Sequence, residues 1–377
     1  MSADQGPRGE KLKSLMGARR PGIDLSQVEA VRSGHLDEGT ELPLVISPAR
    51  DGIDLLGWAQ ENLERIDREL LRYGAILFRG FGLREVGAFE RFARAVTPDL
   101  VIYVEGSSPR IMLSERVYTS TEYPPEFFVS LHNELSYAHR WPSRLFFFCL
   151  QVPPQGGETP IADSRKVLAM LPDRIKDEFL RKGVRYTRNL HNGRGAGLSW
   201  QTVFETDDVA KVESYCREGG IEFRWREDGG LSTSQVRPAA IRHPRTGELV
   251  WFNQADQFHP SNLPPEVSRE LLAVSGGKLP IDATFGDGSP LDAEMLDEVR
   301  AVFRKALVAF PWQVGDVLAV DNMLVAHGRM PFSGPRRVVV TMGAPVSIDD
   351  VEAIGGQASF NLREGAASEP RREQVRD

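Results

Sequence analysis

Hydrophobic positions recur at helical spacing through residues 55–73 (LLGWAQENLERIDRELLRY), and the run stops at Gly74, a residue suited to close a helix. The segment Ala75-Ile-Leu-Phe-Arg-Gly-Phe81 that follows is short and mostly apolar, as a buried strand is, and a second helix is expected over 86–96. The middle of the chain reads as strands at 127–135, 144–152 and 183–190, with a helical stretch over 163–182 between the last two. Helices are expected at 207–218 and 265–275, with strands near 221–226, 240–243 and 249–253 between them. The clearest late helix covers 291–309, and three β-like runs follow at 316–320, 323–327 and 336–342.

Many short strands framed by helices, without a regular βαβ alternation, predict an α+β architecture or a β-sandwich with helices. A doubly wound nucleotide fold is disfavoured, because no Gly-x-Gly-x-x-Gly follows the first strand and no phosphate-loop Lys motif occurs. The divisions expected are an N-terminal extension over 1–41, partly disordered, one domain over 42–350, and a charged C-terminal tail over 351–377.

Composition narrows the chemistry. The 377 residues are 41% hydrophobic and 26% charged, and 46 Lys and Arg against 53 Asp and Glu give a net charge of −7. That balance carries no nucleic-acid footprint. No secretory or twin-arginine signal and no run of eighteen apolar residues is present, so a cytoplasmic protein without a membrane segment is expected. Two cysteines, Cys149 and Cys216, cannot build a disulfide framework or a thiolate cluster. Metal chemistry would then rest on carboxylates and the seven histidines.

Within Ser130-Leu-His-Asn-Glu-Leu-Ser136, strand alternation would put His132 and Glu134 on one face. Two such ligands and a distant histidine would form a 2-His-1-carboxylate set, which leaves positions open on Fe(II) for oxygen and a co-substrate. The spacing alone is weak, since about one His-x-Asp/Glu is expected by chance; His35-Leu-Asp37, in a Gly-rich loop, is such a match. A polar strand face is the alternative for His132 and Glu134. Downstream, His327 ends an apolar run, and alternation through the strand after Ser333-Gly-Pro335 separates Arg336, Val338, Val340 and Met342 from Arg337, Val339 and Thr341. An inward arginine there needs an anion, and its planar fork suits a carboxylate; a surface pair protecting an edge strand is the plainer alternative. Gly156-Gly-Glu-Thr159 either lets backbone approach a ligand, with Thr159 as a donor, or makes a tight turn.

In this order, His132-x-Glu134, Gly156-Gly-Glu-Thr159, His327 and Arg337 resemble the iron(II)/2-oxoglutarate-dependent oxygenases of the taurine dioxygenase and clavaminate synthase-like superfamily. Val117-Tyr-Thr-Ser-Thr-Glu-Tyr-Pro124, Leu131-His-Asn-Glu-Leu-Ser-Tyr137, the extension of the Gly-Gly-Glu-Thr run to Arg165, and Val250-Trp-Phe-Asn-Gln254 are similar to its syringomycin-hydroxylase group, which oxidises amino-acid units in peptide-antibiotic pathways. The resemblance covers about 42–345. It implies a double-stranded β-helix (jelly roll) with flanking helices, His132, Glu134 and His327 as iron ligands, and Arg337 with Thr159 on the distal carboxylate of 2-oxoglutarate.

It further implies that O2 and 2-oxoglutarate are consumed with release of succinate and CO2 while an unactivated C–H bond is oxidised. Glu134 disfavours halogenation, because related halogenases replace that carboxylate with a small residue. Hydroxylation leads; desaturation, epoxidation and cyclisation stay open. Thr341 stands four residues beyond Arg337, where taurine dioxygenase has the arginine that holds sulfonate, so a sulfonate substrate is not expected. The expected substrate is an amino acid or a derivative, free or tethered to a carrier protein. Its pocket candidates are Arg110, Ser120, Thr121, Glu122, Asn253, Gln254 and Thr341, each with a structural hydrogen bond as the alternative. Thr119 and His259 are further pocket candidates, Trp251 and Phe252 read as core or pocket wall, and no role is read for His139, His191 or His243. A non-catalytic binding protein on the same scaffold, or a zinc hydrolase using the same three ligands, are the competing classes.

Overall fold

The computed structural model describes residues 29–107, 110–120, 123–275 and 277–354. A seven-stranded sheet runs in the order Val31–Gly34, Leu44–Pro48, Ala75–Phe78, Val317–Asp321, Arg140–Gln151, Arg337–Ser347, Tyr118–Thr119. Its longest strand, Arg140–Gln151, explains the layering by alternation: Leu145, Phe147 and Cys149 face one core, Phe146 and Phe148 the other. The outer core is covered by helices Leu55–Glu61, Leu63–Tyr73 and Val86–Val96, which bury Trp58, Ile66, Leu70, Phe89 and Phe92. Phe89 stacks on Phe148 at 5.0 Å, and Phe92 meets Phe146 edge-on at 6.2 Å. The inner core is shared with a three-stranded sheet, Val129–His132, Val325–Arg329, Ile161–Asp163, which contributes Ile161, Ala162, Val325 and Ala326. Two sheets therefore enclose one apolar interior, and the histidines of interest end up on the smaller of them.

Several boundaries differ from the hydrophobic pattern, each for a local reason. The helix expected over 55–73 is two helices, because Asn62 leaves the helical region at φ −126° and its side-chain amide donates to the Trp58 carbonyl at 2.8 Å. The stretch over 163–182 breaks at Leu171, which is extended ahead of Pro172. Strand Leu231–Arg237 was hidden because its buried face carries Thr233, Gln235 and Arg237 rather than apolar residues. Pairing also extends past both limits of the 42–350 domain. Val31–Gly34 pairs antiparallel with Leu44–Pro48 in the large sheet and buries one side chain, Val31, and Glu352–Ile354 pairs with Ala240–Arg242. Among the described residues no helix is long and apolar enough to cross a membrane.

Two adjacent residues lock the larger sheet to the site. Asp321 ends its strand fully buried and ion-paired with Arg144, with His243 Nε2 at 3.3 Å, and it accepts from the Met323 and Leu324 amides at 3.1 and 3.2 Å. Burial alone would raise its carboxyl, but Arg144 and His243 outweigh that and hold it below the usual range. Asn322 next to it accepts the Glu134 amide at 2.7 Å and donates to the carbonyls of Glu134 at 2.9 Å and Pro142 at 2.8 Å. Replacing Asn322 by Ala strands three buried backbone groups, so unfolding of the metal-free protein in denaturant should show a loss of about 3 to 5 kcal/mol. A loss below about 1 kcal/mol would mean that Asn322 does not hold the two turns together.

Candidate active site

The site starts from one cross-strand pair. His132 and His327 are directly opposite in the antiparallel pairing of Val129–His132 with Val325–Arg329, and their ring centroids lie 4.4 Å apart. The pairing is irregular just after His327, where the backbone at Gly328 runs so close to its neighbour that a Cβ there would sit 2.4 Å from the Val129 carbonyl oxygen. Glu134 arrives differently from the alternation expected: the strand ends at His132, Asn133 begins a turn with Leu135 at φ +57°, and the Asn322 contacts fix Glu134 within it. The result places Glu134 Oε2 at 3.9 Å from His132 Nε2 and 3.8 Å from His327 Nε2.

These three side chains are buried, and their ligand atoms lie within 4.8 Å of one another. Burial would raise the Glu134 carboxyl, but Arg110 and the two imidazoles outweigh it, and the group is held far below the usual carboxylate range. His327 is driven well below its ordinary value, first by burial and then by His132, so it is neutral. The His132 Nδ1 atom lies 2.9 Å from the Ser130 carbonyl, an acceptor only, which puts the proton on Nδ1 and leaves Nε2 free to ligate. Gln257 lies against the same nitrogen and donates to the same carbonyl. Two imidazoles and one ionised carboxylate match the donor set of a divalent ion with open coordination positions. The cysteines do not compete: burial pushes both Cys149 and Cys216 up to about 12, so they stay protonated thiols.

A second cluster centres on an arginine, and here the inward residue is Arg336, not Arg337. Arg336 Nε donates to the Gly157 carbonyl at 2.8 Å, Nη1 to Ser120 Oγ at 3.1 Å, and Nη2 lies 3.5 Å from Thr159 Oγ1. Arg337 is exposed on the opposite side. The cause is the face each one continues: Val338, Val340 and Met342 enter the inner core, whereas Val339 enters the outer core beneath the helices. Among the described residues no carboxylate forms an ion pair with Arg336. Burial, with Arg329 adding repulsion, pulls its guanidinium down to about 10, the condition of a cation that lacks its anion. The Gly156-Gly157 turn serves this packing, since a Cβ on Gly157, at φ +76°, would lie 3.0 Å from the Arg336 Cδ.

The other pocket candidates divide. Arg110 donates to Glu134 Oε2 at 2.6 Å, and Ser120 belongs to the Arg336 cluster. Thr341 faces away and donates to the Arg116 carbonyl at 2.7 Å. The Asn253 amide is occupied by the Ala239 carbonyl and the Ala255 amide, and Gln254 by Gln257 and Ser136. His259 caps a short turn through Ser261. Thr121 and Glu122 lie outside the described residues. Residues that the sequence reading missed are Tyr103, whose hydroxyl donates to Glu134 Oε1 at 3.1 Å, Asn322, Gln257 and Trp312, whose indole N–H lies 3.3 Å from Thr159 Oγ1. Tyr103 sits in an irregular segment with no periodic signal, while Arg336 shared an alternation set with three core residues and could have been chosen on that ground.

Comparison with known proteins then gives a family and relatives. Residues 35–342 match the model of the taurine catabolism dioxygenase TauD, TfdA family. The dapdiamide synthesis protein DdaC of Enterobacter agglomerans is 42% identical over 282 residues, covering 74% of this chain and 85% of that protein. A clavaminate synthase-like protein of Arabidopsis thaliana is 32% identical over 322 residues, covering 81% of this chain and 94% of that one. In fold, the chain is similar to the crystal structure of AAD-2 with Mn(II) and N-oxalylglycine, with a TM-score of 0.50 and 13% identity over 84% of this chain and 98% of that one.

Anaerobic titration with Mn(II) should show a single ion held by the wild type, and His132→Ala or His327→Ala should weaken it on the order of 100-fold or more, beyond what loss of a supporting hydrogen bond causes. Unchanged affinity in either variant would move the metal away from this triad.

Proposed function

Because the chain belongs to the taurine catabolism dioxygenase TauD, TfdA family, whose members use Fe(II), 2-oxoglutarate and O2, we propose that it is a cytoplasmic oxygenase of specialised, antibiotic-type metabolism that hydroxylates an unactivated C–H bond of an amino acid or an amino-acid-derived small molecule. The two facing sheets are read as the double-stranded β-helix, or jelly roll, of such enzymes. The observation that carries the reading is the pairing of the His132, Glu134 and His327 triad with a partly buried arginine that has no carboxylate of its own. Synthesis of dapdiamide by the DdaC relative supports an amino-acid-derived substrate. The same oxidant used for desaturation, epoxidation or cyclisation, and a substrate tethered to a carrier protein, are the finer alternatives within this reading.

His132, Glu134 and His327 would hold Fe(II), and Arg336 with Thr159 would hold the distal carboxylate of 2-oxoglutarate. When bound, the ion and co-substrate supply O2 activation coupled to decarboxylation: R–H, 2-oxoglutarate and O2 give R–OH, succinate and CO2. The chain's own work is geometric and electrostatic. Ser130 fixes the His132 tautomer, Asn322 fixes the Glu134 backbone, and Trp312 helps orient Thr159. Phe147, 5.1 Å from the His327 ring, contributes an apolar wall that keeps water from the reacting centre. The position four residues beyond Arg336 is Val340, buried and apolar, so the case against a sulfonate substrate is unaffected by the change of arginine.

Succinate formation should depend on Fe(II) and O2 and should rise with a matching member of an amino-acid panel offered free and as carrier-protein conjugates. Arg336→Ala should raise the 2-oxoglutarate requirement by about 10- to 100-fold, and Arg337→Ala should leave it nearly unchanged. The reverse pattern would return the anchoring role to Arg337, and succinate formation without Fe(II) would overturn the oxygenase reading.

A further inference from the structure

Arg336 is not the sole under-partnered guanidinium near the triad. The Arg110 side chain is 6% exposed and pairs with Glu134 through one nitrogen only, Nη2 to Oε2 at 2.6 Å. Its Nε and Nη1 atoms are buried with no hydrogen-bond partner. Its Cζ lies over the Tyr103 ring, 4.3 Å from the centroid, which supports the cation on one face and leaves Nη1 without an acceptor. Leaving two such donors dry is costly, so a native chain keeps the arrangement where an acceptor arrives from outside.

Upstream of Arg110, Glu105 is buried at φ +66°, and its carbonyl accepts from Arg188 Nη1 at 2.9 Å and the Tyr137 hydroxyl at 2.5 Å. Arg188 Nη2 donates to the Gly106 carbonyl at 2.7 Å. The Glu105 carboxyl accepts from Gln235 at 2.7 Å and Tyr215 at 2.9 Å. This network of buried polar groups fixes the backbone at Glu105 and Gly106 without using Arg110 itself.

Charge gives the sign of the missing ligand. Arg110 and Arg336 are two buried cations, and Glu134 is one anion that must serve both Arg110 and a metal ion. A divalent ion and the dianion 2-oxoglutarate cancel one another, so the loaded site retains about one uncompensated positive charge beside Arg110. We propose that Arg110 is the specificity-determining residue for the substrate: its free Nη1 donates to a substrate carboxylate on the Glu134 side of the triad, separate from the Arg336 anion site. This rests on the oxygenase reading and narrows its substrate to a small molecule with a free carboxylate.

The test is calorimetric titration of the Mn(II)- and 2-oxoglutarate-loaded protein with the proteinogenic L-amino acids, their N-acetyl derivatives, and the carboxamide of each. At least one acid should bind the wild type about 10- to 100-fold more tightly than its carboxamide. Arg110→Gln should erase that preference to within about threefold while still taking up Mn(II) and 2-oxoglutarate, and Arg110→Lys, which keeps a charge beside Glu134, should retain part of it. The assignment is overturned if no acid is preferred over its amide, if the preference survives Arg110→Gln, or if Arg110→Gln weakens Mn(II) alone and leaves the acid-to-amide ratio as it was, the mark of a residue that only positions Glu134. Wild-type protein that fails to load Mn(II) or 2-oxoglutarate contradicts the oxygenase reading instead.

Discussion

The arrangement of the site depends on the Asn322 side chain, which hydrogen-bonds to both backbone groups of Glu134 and to Pro142 from the end of a strand in the larger sheet. Without it, His132 and His327 would still face each other, since strand pairing alone sets that. Glu134, however, lies past the end of its strand, in a turn with no ladder to fix it. Asn322 supplies the missing constraint, and Asp321, clamped by Arg144 and His243, fixes Asn322 in turn. A carboxylate is thereby brought against two imidazoles by polar contacts made well outside the coordination sphere.

Around that frame several scaffold carboxylates are paired: Asp321 with Arg144, Asp316 with Arg79 at 2.6 Å, and Asp256 with Arg300 at 2.6 Å. The two arginines of the site are paired less fully. Arg336 has hydroxyl and carbonyl neighbours without a carboxylate partner, and Arg110 shares one with the triad. Burying a cation without an anion is unfavourable, and on the proposed reading 2-oxoglutarate and a substrate carboxylate would supply the missing charge.

The grouping of His132, Glu134 and His327 was legible because it rests on residue types that are scarce here: with seven histidines, two of them flanking apolar runs leave few choices. The family was legible from several short motifs in order, and it agrees with the family match over 35–342. The arginine was not. Alternation separated Arg336 from Arg337 correctly, but which set faces the interior depends on which sheet face carries helices, a tertiary fact absent from a single strand's pattern. The pocket candidates Asn253, Gln254 and Thr341 are polar and buried, as site residues are, and the structure gives each of them hydrogen bonds within the fold. Strand Leu231–Arg237 stayed invisible because polar side chains fill its inward positions, and two of these, Gln235 and Arg237, belong to the buried network around Glu105.

The central claim is that one metal ion and one 2-oxoglutarate meet between His132, Glu134, His327 and Arg336. A crystal structure of the anaerobic Fe(II) complex with 2-oxoglutarate, with anomalous data at the iron edge, tests it most directly. The account predicts a single iron peak ligated by the two imidazoles and Glu134, with the distal carboxylate of 2-oxoglutarate on Arg336 and Thr159. Iron elsewhere in the chain, or that carboxylate bound to Arg337, would contradict it.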